Sequence, residues 1–289
     1  MALKKATNNK DEAAKPNYSA PALEKGLDIL ELLAERSLGL SQGEIAKSMG
    51  RSVSEIFRML NCLVERGYVT LNSQTDSYTL SLKLFELAHR YPPMRRLITE
   101  ALPLLTDVTR EVDQSCHLAV CHNDNILVVA QVDNPGGLGF STRIGAQLDL
   151  LKTASGVVVL AFQAEPDRKK MLKTYEASTG AKLDFAALDA KFAEIRQRGF
   201  EESDSLQVGS IKNISFPVID FYGHALCAMT IPFLRRIDCD NEEAIVNARR
   251  ALRKAAVKLS SAIGSLDHTV FKEPRLPAAK SKRRAGTAR

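Results

Sequence analysis

SQGEIAKSMGRSVSEIFRMLNCLVERG, residues 41–67, decides the fold. The same device occurs in it twice. Ser41-x-x-Glu44 and Ser52-x-x-Glu55 are capping boxes: the serine hydroxyl takes a free N–H three residues on, and the glutamate reaches back to the serine N–H. Each announces a helix. The first is expected over residues 42–49, stopped by Gly50. The second is expected over 53–66, stopped by Gly67, because glycine tolerates the left-handed turn that closes a helix. Ile56, Leu60, Leu63 and Val64 form an apolar stripe on the second helix. Ser54, Glu55, Phe57, Arg58 and Asn61 lie opposite or beside it.

Two short capped helices with one polar face read as a helix-turn-helix, whose second helix enters the DNA major groove. Arginine reaches guanine and asparagine reaches adenine in bidentate pairs. Ser52 and Ser54 sit at the helix start, where hydroxyls and free N–H groups favour phosphate. Glu55 is already engaged as a cap. Residues 68–71 and 78–80 are β-prone with a polar turn between them, which makes a hairpin, and so a wing, after the second helix. The candidate DNA-contacting set is Ser41, Arg51, Ser52, Val53, Ser54, Phe57, Arg58, Asn61 and Ser77.

Upstream, Leu23, Leu27, Leu30 and Ala34 share one helical face, with Glu24, Lys25, Glu31 and Glu35 outside. Residues 1–20 are rich in Lys, Asn and Ala and read as a flexible arm. Downstream, helical periodicity over 82–112, interrupted at Pro92-Pro93, marks a linker. A second domain over 113–266 mixes both periods. Strands are expected at 115–122, 126–133, up to Arg143, 211–219 and 224–233, with a short extended piece at 148–151. Helices are expected at 154–163, 167–175, 186–197 and 241–266. That order implies an α+β domain with an antiparallel sheet.

The 289 residues suffice for about two domains, and 45% of them are hydrophobic. No apolar run approaches the roughly 18 residues of a membrane span. No signal peptide is visible, so a cytoplasmic location is expected. Five scattered cysteines without a C-x-x-C pair suit reduced thiols. The net charge of +6 is carried by the tail, where seven cations between Lys272 and Arg289 face Glu273 alone. A solvated basic tail over 267–289 therefore says little about DNA, and the pattern of residues 41–80 carries that inference.

Three stretches together resemble the isocitrate lyase regulator (IclR) family: residues 22–30, ALEKGLDIL; residues 40–46, LSQGEIA; and residues 57–69, from Phe57-Arg58-Met59-Leu60 to Gly67-Tyr68-Val69. Cys116-His117-Leu118-Ala119-Val120, Thr153-Ala154-Ser155-Gly156, Ile214-Ser215-Phe216-Pro217-Val218 and Ala228-Met229-Thr230-Ile231 extend the likeness to about residue 266. The resemblance implies a winged helix-turn-helix over 21–81, linker helices over 82–112 and a GAF-like effector domain. It also implies a homodimer or homotetramer, a double-stranded operator and a small-molecule effector, an organic acid or an aromatic catabolite. Carried over by motif, the effector residues are Phe140, Leu148, Ala154, Ser155, Asp204, Asn213, Thr230 and Pro232. His at Phe57, Pro at Ser52 and His-Ala at Leu151-Lys152 are common in the family, so neither operator nor ligand transfers from it.

Rival classes have less behind them. There is no G-x-S-x-G, P-loop lysine motif, H-E-x-x-H or G-x-G-x-x-G, and Glu201-Glu202 reads as an exposed acidic pair, so no catalysis and no cofactor are expected. Zinc at Cys116-His117 and Cys121-His122 fails on geometry. On a strand His117 and Cys121 stand about 13 Å apart, whereas zinc ligands lie about 2.0–2.3 Å from one ion. A ligand-independent architectural DNA-binding protein remains the alternative, although a mixed second domain of this size exceeds what architecture requires.

Overall fold

The computed structural model describes residues 20–266 and 269–271. The expected arm before residue 20 and the basic residues from Lys272 onward lie outside them. The described residues divide into two compact units, with the boundary between Pro92 and Pro93.

In the first unit, α1 (Pro21–Ala34), α2 (Gln42–Ser48) and α3 (Val53–Glu65) precede an antiparallel hairpin of β1 (Val69–Asn72) and β2 (Ser77–Leu80), then α4 (Lys83–Arg90). Gly50 and Gly67 hold φ of +61° and +76°, the left-handed region their positions call for. Ile29, Leu33, Ile45, Ala46, Ile56, Leu60, Val69 and Tyr78 form the core. The buried face of α1 differs from the expected one. Ile29 and Leu33 point inward, while Leu23 and Leu27 stay 63% and 48% exposed. The helix carries two apolar stripes, and the one with Ile29 and Leu33 joins the core that holds Ile45 and Ile56.

In the second unit, α5 (Pro92–Val112) buries Leu97, Ala101, Leu105 and Val108. Then come β3 (Cys116–His122), β4 (Asn125–Val132), β5 (Gln147–Asp149), α6 (Ala154–Ala161), α7 (Glu165–Thr179), α8 (Phe185–Arg198), β6 (Glu201–Asp204), β7 (Ile211–Ile219), β8 (Ala225–Leu234) and α9 (Asn241–Ala262). The six strands form one antiparallel sheet in the order β5-β4-β3-β8-β7-β6. One face carries α6, through the Ser155–Thr230 hydrogen bond. The other carries α9, where the Ile219 N–H donates to Ser260 Oγ at 2.9 Å.

Two expectations fail here. The stretch before Arg143 is a loop, because Asn134 takes up its backbone groups: its Nδ2 donates to the Leu138 carbonyl and its Oδ1 accepts from the Gly136 N–H. Glu201 and Glu202 are not an exposed pair but open strand β6. Glu201 is 4% exposed and bonded to Arg198, and Glu202 accepts from Arg249 at 2.7 Å. The guanidinium groups neutralise charges that alone would keep this segment in water. Arg198 and Arg249 also flank the Phe200 ring, which stacks on Phe216.

Candidate nucleic-acid interface and sensor site

Helix α3 is held at its start by charge. The Ser52 N–H and hydroxyl both donate to Glu55 Oε2 at 2.9 Å, and Lys25 of α1 donates to Glu55 Oε1 at 3.2 Å. These bonds lower the Glu55 carboxyl to about 2, the Ser52 backbone bond contributing most. Glu55 is therefore an ionised cap that pins α3 to α1. The α2 cap repeats the arrangement: the Ser41 N–H donates to Glu44 Oε2 at 2.8 Å.

With the cap fixed, Ile56 and Leu60 face the core, and Val53, Ser54, Phe57, Arg58 and Asn61 are exposed. Their spacing of i, i+1, i+4, i+5 and i+8 is one contiguous arc of an α-helix. Val53 and Phe57 are each 48% exposed, and apolar side chains so placed are suited to contact with a thymine methyl. Arg51 and Ser52 are exposed just ahead of this arc. Ser41 and Ser77 are half-buried, and the Thr75 and Ser77 hydroxyls lie 2.7 Å apart in the hairpin turn.

In the second unit, Thr153 caps α6 by accepting the Gly156 N–H at 3.2 Å. Ser155, in the first turn, has its hydroxyl 2.9 Å from Thr230 Oγ1, which lies 2.7 Å from Ser215 Oγ. His117 Nε2 lies 3.4 Å from Ser155 Oγ. All four residues are buried. Asn213 and Pro232 are register partners one step along the same sheet face. Leu148 shares that face through the pairings Leu148–Ile126–Cys121. Ala154 is buried in α6, and Phe140 is half-buried in the loop between β4 and β5.

Ser155, Thr230, Asn213, Pro232 and Leu148 are thus brought to one face. Asp204 is not: its register partner is Lys212, on the opposite face, and it is exposed and ion-paired with Arg235 and Lys212. Two polar residues of the cluster, Ser215 and His117, were absent from the expected set. Their signal is the strand register that sets both opposite Thr230.

The model of the IclR helix-turn-helix domain matches residues 22–73, and that of the bacterial transcriptional regulator IclR C-terminal domain matches residues 89–261. The chain belongs to the IclR family. This IclR-type protein is 28% identical over 266 residues to the HTH-type transcriptional regulator KdgR of Escherichia coli, covering 90% of this chain and 98% of that one. It is 26% identical over 247 residues to XynR of the same organism, covering 84% and 97%. In fold it resembles the Thermotoga maritima IclR, with a TM-score of 0.66 at 24% identity, covering 84% and 98%. It also resembles an IclR homolog from Microbacterium hydrocarbonoxydans complexed with 4-hydroxybenzoate, with a TM-score of 0.68 at 20% identity and the same coverage. It is a DNA-binding transcriptional regulator of the helix-turn-helix type. Both of these Escherichia coli relatives are transcriptional regulators. Among the described residues no helix is long and apolar enough to cross a membrane.

Proposed function

We propose that this regulator reads its operator with Val53, Ser54, Phe57, Arg58 and Asn61, steadied on phosphate by Ser41, Arg51, Ser52 and Ser77. A small acid bound between α6 and the sheet switches that grip. The observation that carries the switch is the buried hydroxyl cluster of Ser155, Thr230 and Ser215 at the first turn of α6. A helix start offers free N–H groups and partial positive charge to a carboxylate. A ligand shifts DNA affinity only by binding one state of the protein more tightly than the other. The regulator acts in the cytoplasm, where its operator lies. The Microbacterium homolog, complexed with 4-hydroxybenzoate, supports a small acid as a ligand of this fold. It favours this reading over a ligand-independent architectural role.

The test is release of a fluorescent operator by a panel of small acids, with Ser155→Ala beside the wild type. Ser155→Ala removes a hydroxyl without adding volume. Operator affinity is expected to hold, while the acid needed for half-release rises about tenfold, the equivalent of roughly 1.4 kcal/mol. Unaltered release would move the sensor site elsewhere.

The functional unit is proposed to be a homodimer or a tetramer of such dimers. Leu23, Leu27 and Leu30 of α1, Met59 and Leu63 of α3, and Leu84 and Leu87 of α4 line an apolar groove of about 610 Å³. An apolar surface of this kind marks an association site, and a two-fold pairing would set two reading helices on a palindromic operator. Leu27→Glu, half exposed and outside the core, is expected to leave the fold intact and weaken self-association at least tenfold in sedimentation. An unchanged sedimentation profile would remove the groove from the interface.

A further inference from the structure

A row of polar side chains crosses the second sheet on its α6 face. His117 on β3 stands opposite Gln131 on β4 and Thr230 on β8, and Thr230 stands opposite Ser215 on β7. Directly opposed residues of antiparallel strands project to the same face, with Cβ atoms about 5 Å apart. Four adjacent strands therefore line up an amide, an imidazole and two hydroxyls, and Ser155 joins them from α6. The row continues to Glu201 on β6, whose carboxylate is neutralised by Arg198.

The three hydroxyls satisfy one another. The other end of the row is only half satisfied: His117 Nε2 reaches Ser155 Oγ, and Gln131 Nε2 donates to the Val132 carbonyl and to Asp133 Oδ1. His117 is 3% exposed and its Nδ1 has no hydrogen-bond partner, and the buried Oε1 of Gln131 has none either. Buried polar atoms are nearly always bonded, so two orphans on register-paired residues call for an explanation. Packing alone does not supply one: an apolar side chain at 117 would fill the same place without an unpaired nitrogen. Burial also holds the imidazole uncharged, pushing it down to about 4. Gln131, Thr230, Ser215 and Ser155 are neutral too. The place suited to a carboxylate is the first turn of α6, where Thr153 takes the Gly156 N–H and the Ala154 and Ser155 N–H groups have no partner within the helix.

We infer that His117 and Gln131 complete the sensor site and read the hydroxyl groups of a polyhydroxylated aliphatic acid whose carboxylate lies at the start of α6. A hydroxyl donates and accepts at once, so one group satisfies both the Gln131 oxygen and an imidazole nitrogen. An unhydroxylated chain or an aromatic ring would cover these atoms and leave them unpaired, which is how a polar site rejects an analogue lacking the hydroxyl. The inference rests on the reading of the first turn of α6 and the sheet residues facing it as the sensor site.

Thermal unfolding of the full chain with added acids tests it. The probes are D-gluconate and D-galacturonate, hexanoate as the unhydroxylated six-carbon acid, and 4-hydroxybenzoate. At least one sugar acid is expected to raise the unfolding midpoint, and hexanoate and 4-hydroxybenzoate are not. His117→Leu is expected to keep or raise the unliganded midpoint and to weaken sugar-acid binding at least tenfold. His117→Asn, which retains a donor and an acceptor, restores part of it. A structural histidine would instead lose stability on going to leucine, and failure of His117→Leu to fold overturns the inference. So does the absence of stabilisation by either sugar acid. Stabilisation by hexanoate or 4-hydroxybenzoate that Ser155→Ala removes and His117→Leu spares overturns hydroxyl reading but keeps the sensor site. Stabilisation indifferent to both variants overturns the sensor site itself.

Discussion

Gly156→Ala is expected to destabilise the second unit by about 3 kcal/mol or more, the upper range for forcing extra volume into a packed site. A Cβ built at Gly156 would lie 2.0 Å from the Leu150 carbonyl oxygen and 2.7 Å from its carbon, both backbone atoms. No rotamer relieves a backbone clash, so α6 or the chain after β5 has to move. Movement of α6 breaks the Ser155–Thr230 bond and the Thr153 cap. Intrinsic preference points the other way, since alanine in an open helix position stabilises by roughly 1 kcal/mol over glycine. Gly43 in α2, with nothing within 4 Å of its Cβ position, supplies the contrast. Urea unfolding of both variants measures the difference. Gly43→Ala should hold or raise the midpoint and Gly156→Ala should lower it sharply; equal midpoints would mean that α6 does not pack closely against residue 150.

The second large effect falls on DNA. Arg58→Ala and Asn61→Ala should each cost roughly 1–3 kcal/mol of discrimination between operator and random duplex, the worth of one bidentate base contact. Both side chains are exposed, and the core beneath them rests on Ile56 and Leu60, so thermal stability should change little. The effect should appear as a loss of preference, with the salt dependence nearly unchanged, because base contacts release few counterions. Competition binding at fixed salt reads this directly. A variant that weakens operator and random duplex equally would assign Arg58 to phosphate.

The DNA-binding unit was legible in the sequence because its determinants are local. Two capping boxes, each closed by a glycine, are written within 27 residues and need no distant partner. The α1 face was misread because its two apolar stripes are equally periodic, and only the tertiary partners Ile45 and Ile56 select Ile29 and Leu33. Strand β6 was missed for the same reason: Glu-Glu-Ser-Asp is an exposed loop by composition, and its neutralising Arg249 and Arg235 lie more than 30 residues away. The extended reading before Arg143 gave way to side-chain bonds from Asn134. In the second unit, the motif residues Ser155 and Thr230 are hydrogen-bonded, yet Asp204 turns to the opposite face. The row from Gln131 to Ser215 is invisible in one dimension, since its members are spread over four strands and meet only through register.

Fluorescence anisotropy with the duplex upstream of the protein's own gene and a scrambled duplex, across a salt series, tests the central claim most directly. At about 0.15 M salt the native duplex is expected to bind at least about 1,000-fold more tightly than the scrambled one, the range of specific regulators, with a sugar acid or another small acid altering that binding. Equal and steeply salt-dependent binding to both duplexes, with no acid altering it, would contradict the account.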